Sequence, residues 1–369
     1  MAAGARPEGP QLTWREWELE LRCDDPVVLS AAQPRLLEVG GLPSTSWSKL
    51  DRLLTRHDLV APARPLHIRP RRAARKSAGA AVQAHLAEQV AELKARDPQT
   101  RRDIPDALHK MRVASRRLRS ALATFRPLLN RDVTDPVRAE LRWLAGVLGA
   151  ARDAEVMHAR LRAMIDAEPD DLVLGKARER VETLMAQRYG ETHDRVVAGL
   201  DSQRYLRLLD TLDALAADPP FTPRAREPAT DVLAPLVRRS WRRLERSMAA
   251  ADRAPRGPRQ DALLHQVRKT AKQTRYAAEA VRPVFGRSSR SFIAAIARLQ
   301  ETLGDFQDGI VAGAVLREMG SRGSRAGENS FTFGRLHALE QQRAEGAVRA
   351  WPEARAAVSR RRFQRWLRT

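Results

Sequence analysis

Two stretches of this chain set one histidine and three cations at the same spacing, His-x-x-Arg-x-x-x-Arg/Lys-x-x-Arg. The first holds His109, Arg112, Arg116 and Arg119, the second His265, Arg268, Lys272 and Arg275. Such residues bind anions: a guanidinium offers a rigid fork of N–H donors that matches phosphate oxygens, and an ammonium adds a compact charge. A histidine among them, with an ordinary pKa near 6.5, is favoured in its charged form by a facing phosphate. Binding is therefore expected to take up protons and to strengthen as pH falls. Lys110, Arg117 and Lys269 lie beside the stripes as weaker candidates.

The elements that must position these residues are helices. At about 100° per residue, His109, Arg112, Arg116 and Arg119 fall within roughly 80° of one another and form one stripe. Met111, Ala114, Leu118, Leu122 and Phe125 share a different face, suited to burial. The second stretch repeats this plan with Val267, Thr270, Thr274, Ala277, Ala278 and Val281. Like charges at three- and four-residue spacing repel by a few tenths of a kcal/mol per pair. Keeping that arrangement twice points to a compensating anion.

The match is longer than the stripe. LHKMRVASRRLRSALATFRPLL, from Leu108, aligns without a gap with LHQVRKTAKQTRYAAEAVRPVF, from Leu264. A second pair follows, LAGVLGAARDAEV from Leu144 and LQETLGDFQDGIV from Leu299, aligning Leu148-Gly149 with Leu303-Gly304 and Asp153 with Asp308. The repeated unit is thus at least a helical pair. The Leu-Gly steps read as places of close approach, with Arg152 available to Asp153, and both aspartates as structural.

Composition agrees with a polyanion partner. The 369 residues carry a formal charge of +21, mostly from arginine, since Lys49, Lys76, Lys94, Lys110, Lys176, Lys269 and Lys272 are the only lysines. Cys23 stands alone, which excludes an internal disulfide framework and a cysteine-based zinc site and fits a reducing compartment. Met1 to Leu12 lacks the apolar core of a signal peptide, and no run of about 18 apolar residues occurs. A cytoplasmic protein without membrane insertion is expected.

Three parts follow one another. In residues 1–55, Leu12 to Leu21 alternates like a strand with an acidic face, and Pro26–Val39 and Ser46–Leu54 read as short helices. Residues 56–79 are proline-rich and basic, a linker. From residue 80 to 369 the apolar spacing is helical and predicts about eight long helices, in halves of about 80–220 and 221–369. Breaks are expected near Asp97-Pro98, Pro136, Pro169, Pro219-Pro220, Pro255–Pro258 and Gly286, and a mobile loop from Gly320 to Ser330.

At the doubled stripe the sequence resembles the CHAD family, the conserved histidine α-helical domain, over about Ala80 to Thr369. The resemblance implies an all-α fold of two four-helix bundles related by a pseudo-twofold axis, with basic helices lining a positive surface or pore that binds inorganic polyphosphate. It implies binding without catalysis, no cofactor and no metal, and association with polyphosphate granules. His109, Arg112, Arg116, Arg119, His265, Arg268, Lys272 and Arg275 would contact phosphate oxygens. The sequence departs from the family pattern at Gln273-Thr274 and at Glu155.

The N-terminal piece resembles the closing part of a CYTH domain, the triphosphate tunnel fold, through WREWELEL and SWSKLDRLL. CYTH enzymes need a Glu-x-Glu-x-Lys strand that nothing before Leu12 supplies, and Glu18 and Glu20 cannot replace it, so no triphosphatase activity is expected. Two alternatives stay open. The charge alone permits nonspecific nucleic-acid binding, against which stand three tyrosines in all and no recognisable reading motif. A truncated triphosphatase would require the missing strand to lie upstream.

Overall fold

A computed structural model describes residues 27–42 and 76–367. The chain divides after Leu66 into two units. In the first unit the described residues form one helix, α1 (Val27–Glu38), where a short helix is expected. The strand at Leu12–Leu21, the helix at Ser46–Leu54 and nearly all of the linker lie outside the described residues.

The second unit is all-α: α2 (Ala78–Arg101), α3 (Ala107–Thr124), α4 (Arg131–Asp166), α5 (Ala177–Leu200), α6 (Gln203–Ala217), α7 (Ala229–Arg253), α8 (Pro258–Ala280), α9 (Arg282–Arg325) and α10 (Phe331–Val358). Among the described residues there is no β-strand, and the extended contacts are two isolated bridges, Ser77 with Pro228 and Leu129 with Phe221. Four of these helices start at residues suited to an N-terminus. The Ser77 side chain accepts from the Ala80 N–H at 3.2 Å, Asn130 caps α4, Ser202 caps α6 and Pro258 opens α8.

Pro169, Pro219, Pro220 and Pro255 fall between helices as expected, but two other prolines do not break theirs. Pro98 lies inside α2 and Pro136 inside α4, each removing one N–H from a helix whose neighbours hold it in place. A break not foreseen separates α5 from α6 at Asp201-Ser202. Gly286 makes a true kink, with φ 51° and ψ −122°, a backbone open to glycine alone. The expected Gly320–Ser330 loop shrinks to a short turn, because α9 continues to Arg325. Gly320 and Gly323 are needed there: a Cβ on them would stand 3.3 Å from Phe333 and 3.1 Å from the Ser330 hydroxyl, where α10 packs.

Packing runs in sequence. α2 lies on α3, α3 on α4, α4 on α5 and α6 on α2, while α7, α8, α9 and α10 pack successively. The two groups meet where α3 touches α8 and α2 touches α7. One large apolar core joins them, and it includes every residue foreseen for the apolar face of α3: Met111, Ala114, Leu118, Leu122 and Phe125. A second core forms where α4 and α5 meet α9 and α10, around Leu161, Ile165, Val181, Leu316 and Phe333. Each fully buried leucine or phenylalanine contributes about 1.5–3 kcal/mol relative to exposure. The basic end of the chain also docks: Phe363 and Trp366 are buried, with Trp366 4.9 Å from the Phe285 ring and 5.7 Å from that of Phe292.

Candidate anion-binding site

Because the apolar faces of α3 and α8 are buried, their basic stripes are forced onto the opposite side, beside the α3–α8 crossing. The crossing brings the two stripes together. The Lys272 ammonium is pushed down to about 7, first by burial and then by Arg268 of its own helix and by Arg116 and Arg112 of α3, with Asp308 opposing. Four side chains from the two stripes therefore share one field.

Arg112 and Arg268 have matching surroundings. Arg112 Nη2 lies 3.4 Å from Asp153 Oδ1, and Arg268 Nη2 lies 3.5 Å from Asp308 Oδ1. These distances exceed the roughly 2.7–2.9 Å of a tight charged hydrogen bond, so the aspartates hold the guanidiniums without using up their donors. The Nε of each arginine is buried and has no hydrogen-bond partner among the described residues. Beneath them lie Gly149 and Gly304, whose Cβ positions fall 3.8 Å and 3.7 Å from the guanidinium nitrogens. What approaches closely at each Leu-Gly step is an arginine side chain. Arg152 pairs with Glu155 at 2.9 Å, while Arg112 takes Asp153.

Next to this cluster opens a cavity of about 580 Å3 between α3, α4, α7 and α8. Arg116, Arg119, Lys269 and Lys272 line it, as the stripes predict. Sequence reasoning missed Arg126, Arg138 and Arg142 from the start of α4 and the turn before it, and Arg239 and Arg243 from α7. Their visible signal is four-residue spacing of arginines on α4 and α7, but neither pair recurs in the other half of the sequence. No carboxylate lines the cavity. Asp135 sits behind it, holding Arg126 and accepting from Arg138 at 3.0 Å. Arg119 has its pKa lowered by burial and then by Arg116, Arg142, Arg138 and Arg112, all cations. The Gln273-Thr274 departure costs nothing in packing: Gln273 lines the cavity, and the buried Thr274 hydroxyl donates within reach of two carbonyls, Ser240 at 3.1 Å and Thr270 at 2.8 Å.

Other expected residues stand apart. Arg275 and Arg117 converge on Glu279, at 3.4 Å and 3.0 Å, on a carboxylate whose aligned position in the first stretch is Ala123. Lys110 pairs with Asp106 at 3.1 Å near the start of α3. The histidines differ from each other. His265 Nδ1 meets Gln307 Oε1 at 2.7 Å, whereas the aligned residue beside His109 is Arg152, a cation, and His109 Nδ1 is buried without a hydrogen-bond partner among the described residues. Burial lowers both histidine pKa values first; Arg152 then lowers that of His109, and Lys269 that of His265.

The fold and the cluster define an all-α domain that concentrates cations between two helical groups. The family model for the CHAD domain matches residues 84–317, and the chain belongs to that family. Two uncharacterized proteins from strains of Mycobacterium tuberculosis are each 36% identical to it, over 97% of this chain and 67% of theirs. Two solved structures share the fold. PptA from Streptomyces chartreusis is 24% identical, with TM-score 0.60, over 76% of this chain and 99% of that one. The CHAD domain from the plant Ricinus communis is 22% identical, with TM-score 0.56, over 76% of this chain and 91% of its own.

Proposed function

We propose that the chain binds inorganic polyphosphate without chemical change, in the cavity and cation cluster at the α3–α8 crossing, and that this binding carries it to polyphosphate granules. The observation that supports this most is the lining: nine arginines and lysines around about 580 Å3, with no acid among them. Side chains so arranged repel one another until an anion arrives, and a flexible polymer of repeated charge can meet many of them at once. The expectation that CHAD membership carries points the same way. Among aromatic residues the lining offers Tyr276 alone, a poor platform for successive bases. The cavity lining offers no acidic group to place a metal or activate water, and the nearby Asp153 and Asp308 are turned to Arg112 and Arg268, which favours binding over hydrolysis. Among the described residues no helix is long and apolar enough to cross a membrane.

Reversal of Arg112, Arg116, Arg268 and Lys272 to Glu tests the reading. All four lie outside the buried apolar faces, so far-ultraviolet circular dichroism should stay near wild type while polyphosphate binding is lost. Retained binding, or collapse of the fold, would overturn the assignment.

A further inference from the structure

The two outer helices contribute unequally to the cavity: α7 lines it and α2 does not. α2 packs on α3 as α7 packs on α8, yet the two outer helices differ in charge: α2 balances three acids with three cations, whereas α7 sets six arginines against three acids. The depression between α2 and α3 is lined by Glu88, Glu92 and Asp106 along with His109, Lys110 and Arg117. On the other side, Arg239 and Arg243 of α7 face the cavity together with Lys269 and Lys272.

α7 continues this character beyond the cavity. From Arg238 to Arg246 it reads RRSWRRLER, with Glu245 the one acid in the run. Trp241 and Leu244 are buried, so the arginines are held on the outer side of a firmly anchored helix. Arg239, Arg242, Arg243 and Arg246 are exposed and form no ion pair among the described residues. From Arg239 to Arg246 the helix rises by about 10 Å. α2 offers no such strip: its Arg96 is paired with Glu92 at 2.8 Å and its Lys94 with Asp213 at 2.7 Å.

We propose that α7 extends the binding site on one side only, so that a long polyanion held at the α3–α8 crossing leaves it along Arg239, Arg242, Arg243 and Arg246 rather than across α2. This rests on the polyphosphate reading and adds its direction. The central cluster fixes a short segment of the chain, and the α7 strip gathers further phosphates, so long chains are held more tightly than short ones.

The test is the double variant Arg242→Gln/Arg246→Gln, on the exposed α7 strip but outside the cavity lining, compared with the charge-matched control Arg287→Gln/Arg290→Gln, two exposed arginines that are also outside it. Binding of long-chain polyphosphate is measured across a salt series. Each lost phosphate contact lowers the log–log slope by roughly 0.7–0.9, so the α7 variant should be shallower by about 1.5 and bind about 30-fold more weakly near 0.1 M salt. The control should keep the wild-type slope. An α7 variant that matches the control overturns the inference while leaving the polyphosphate reading intact. Wild-type protein that fails to bind polyphosphate overturns that reading first.

Discussion

Lys272 gives the sharpest prediction. Half-buried beside Arg268, Arg116 and Arg112, its ammonium is pushed down to about 7 in the free protein, against an ordinary 10.5. A bound polyanion supplies the missing countercharge and restores the charged form, so binding takes up a proton wherever the free group is neutral. The folded value is lowered, and the neutral form therefore accumulates above pH 7. If the anion restores the pKa to near 10.4, affinity falls by about (1 + 10)/(1 + 1), roughly fivefold, from pH 7 to 8, and by about fiftyfold from pH 7 to 9. This window lies above both histidines, whose pKa values are lowered, and the internal phosphates of a long chain do not titrate in it. Fluorescence titration at fixed ionic strength measures the dependence, with Lys272→Arg as comparison because a guanidinium stays charged. Equal wild-type affinity at pH 7 and 9 would refute the reasoning. So would a Lys272→Arg variant that keeps the same decline.

Three other outcomes follow from contacts in the structure. Gly304→Leu should drive the Arg268 guanidinium off its seat and weaken polyphosphate binding by about tenfold or more, the value of one charged hydrogen bond, whereas Gly304→Ala should bind nearly normally because its Cβ meets Arg268 at an ordinary 3.7 Å. Titration of both variants checks this. Glu279→Gln should release Arg275 and Arg117 and tighten polyphosphate binding several-fold, at a stability cost below about 1 kcal/mol for these part-exposed pairs, as thermal melts would read. Trp366→Ala should destabilise the second unit by about 3–5 kcal/mol in denaturant unfolding, since the ring is buried against Phe285 and Phe292.

The helices and their faces were legible because periodicity depends only on neighbours along the chain. Met111, Leu118, Val267 and Ala278 are buried as their wheel positions require. The wheel also placed Arg112, Arg116, Arg268 and Lys272 on an outward stripe, but it could not say what that stripe would meet. Arg117 meets Glu279 across 162 positions, and nothing local in the sequence distinguishes that contact from a solvated arginine. The same limit hid Arg239 and Arg243: they belong to the site because α7 packs on α8. Prolines misled for a related reason. Pro98 and Pro136 remove one backbone bond each, a loss that the packing of α2 and α4 offsets. The glycines near Gly320 looked like a loop, yet they are small so that α10 can come close.

We propose that the crossing of α3 and α8 selects a bare phosphate polymer over other polyanions. Competition between long-chain polyphosphate and duplex DNA, matched in charge equivalents at about physiological salt, tests it directly. Polyphosphate should displace bound DNA at far fewer equivalents than DNA needs to displace polyphosphate, and the preference should vanish when Arg112, Arg116, Arg268 and Lys272 are reversed. Equal displacement in both directions would contradict it.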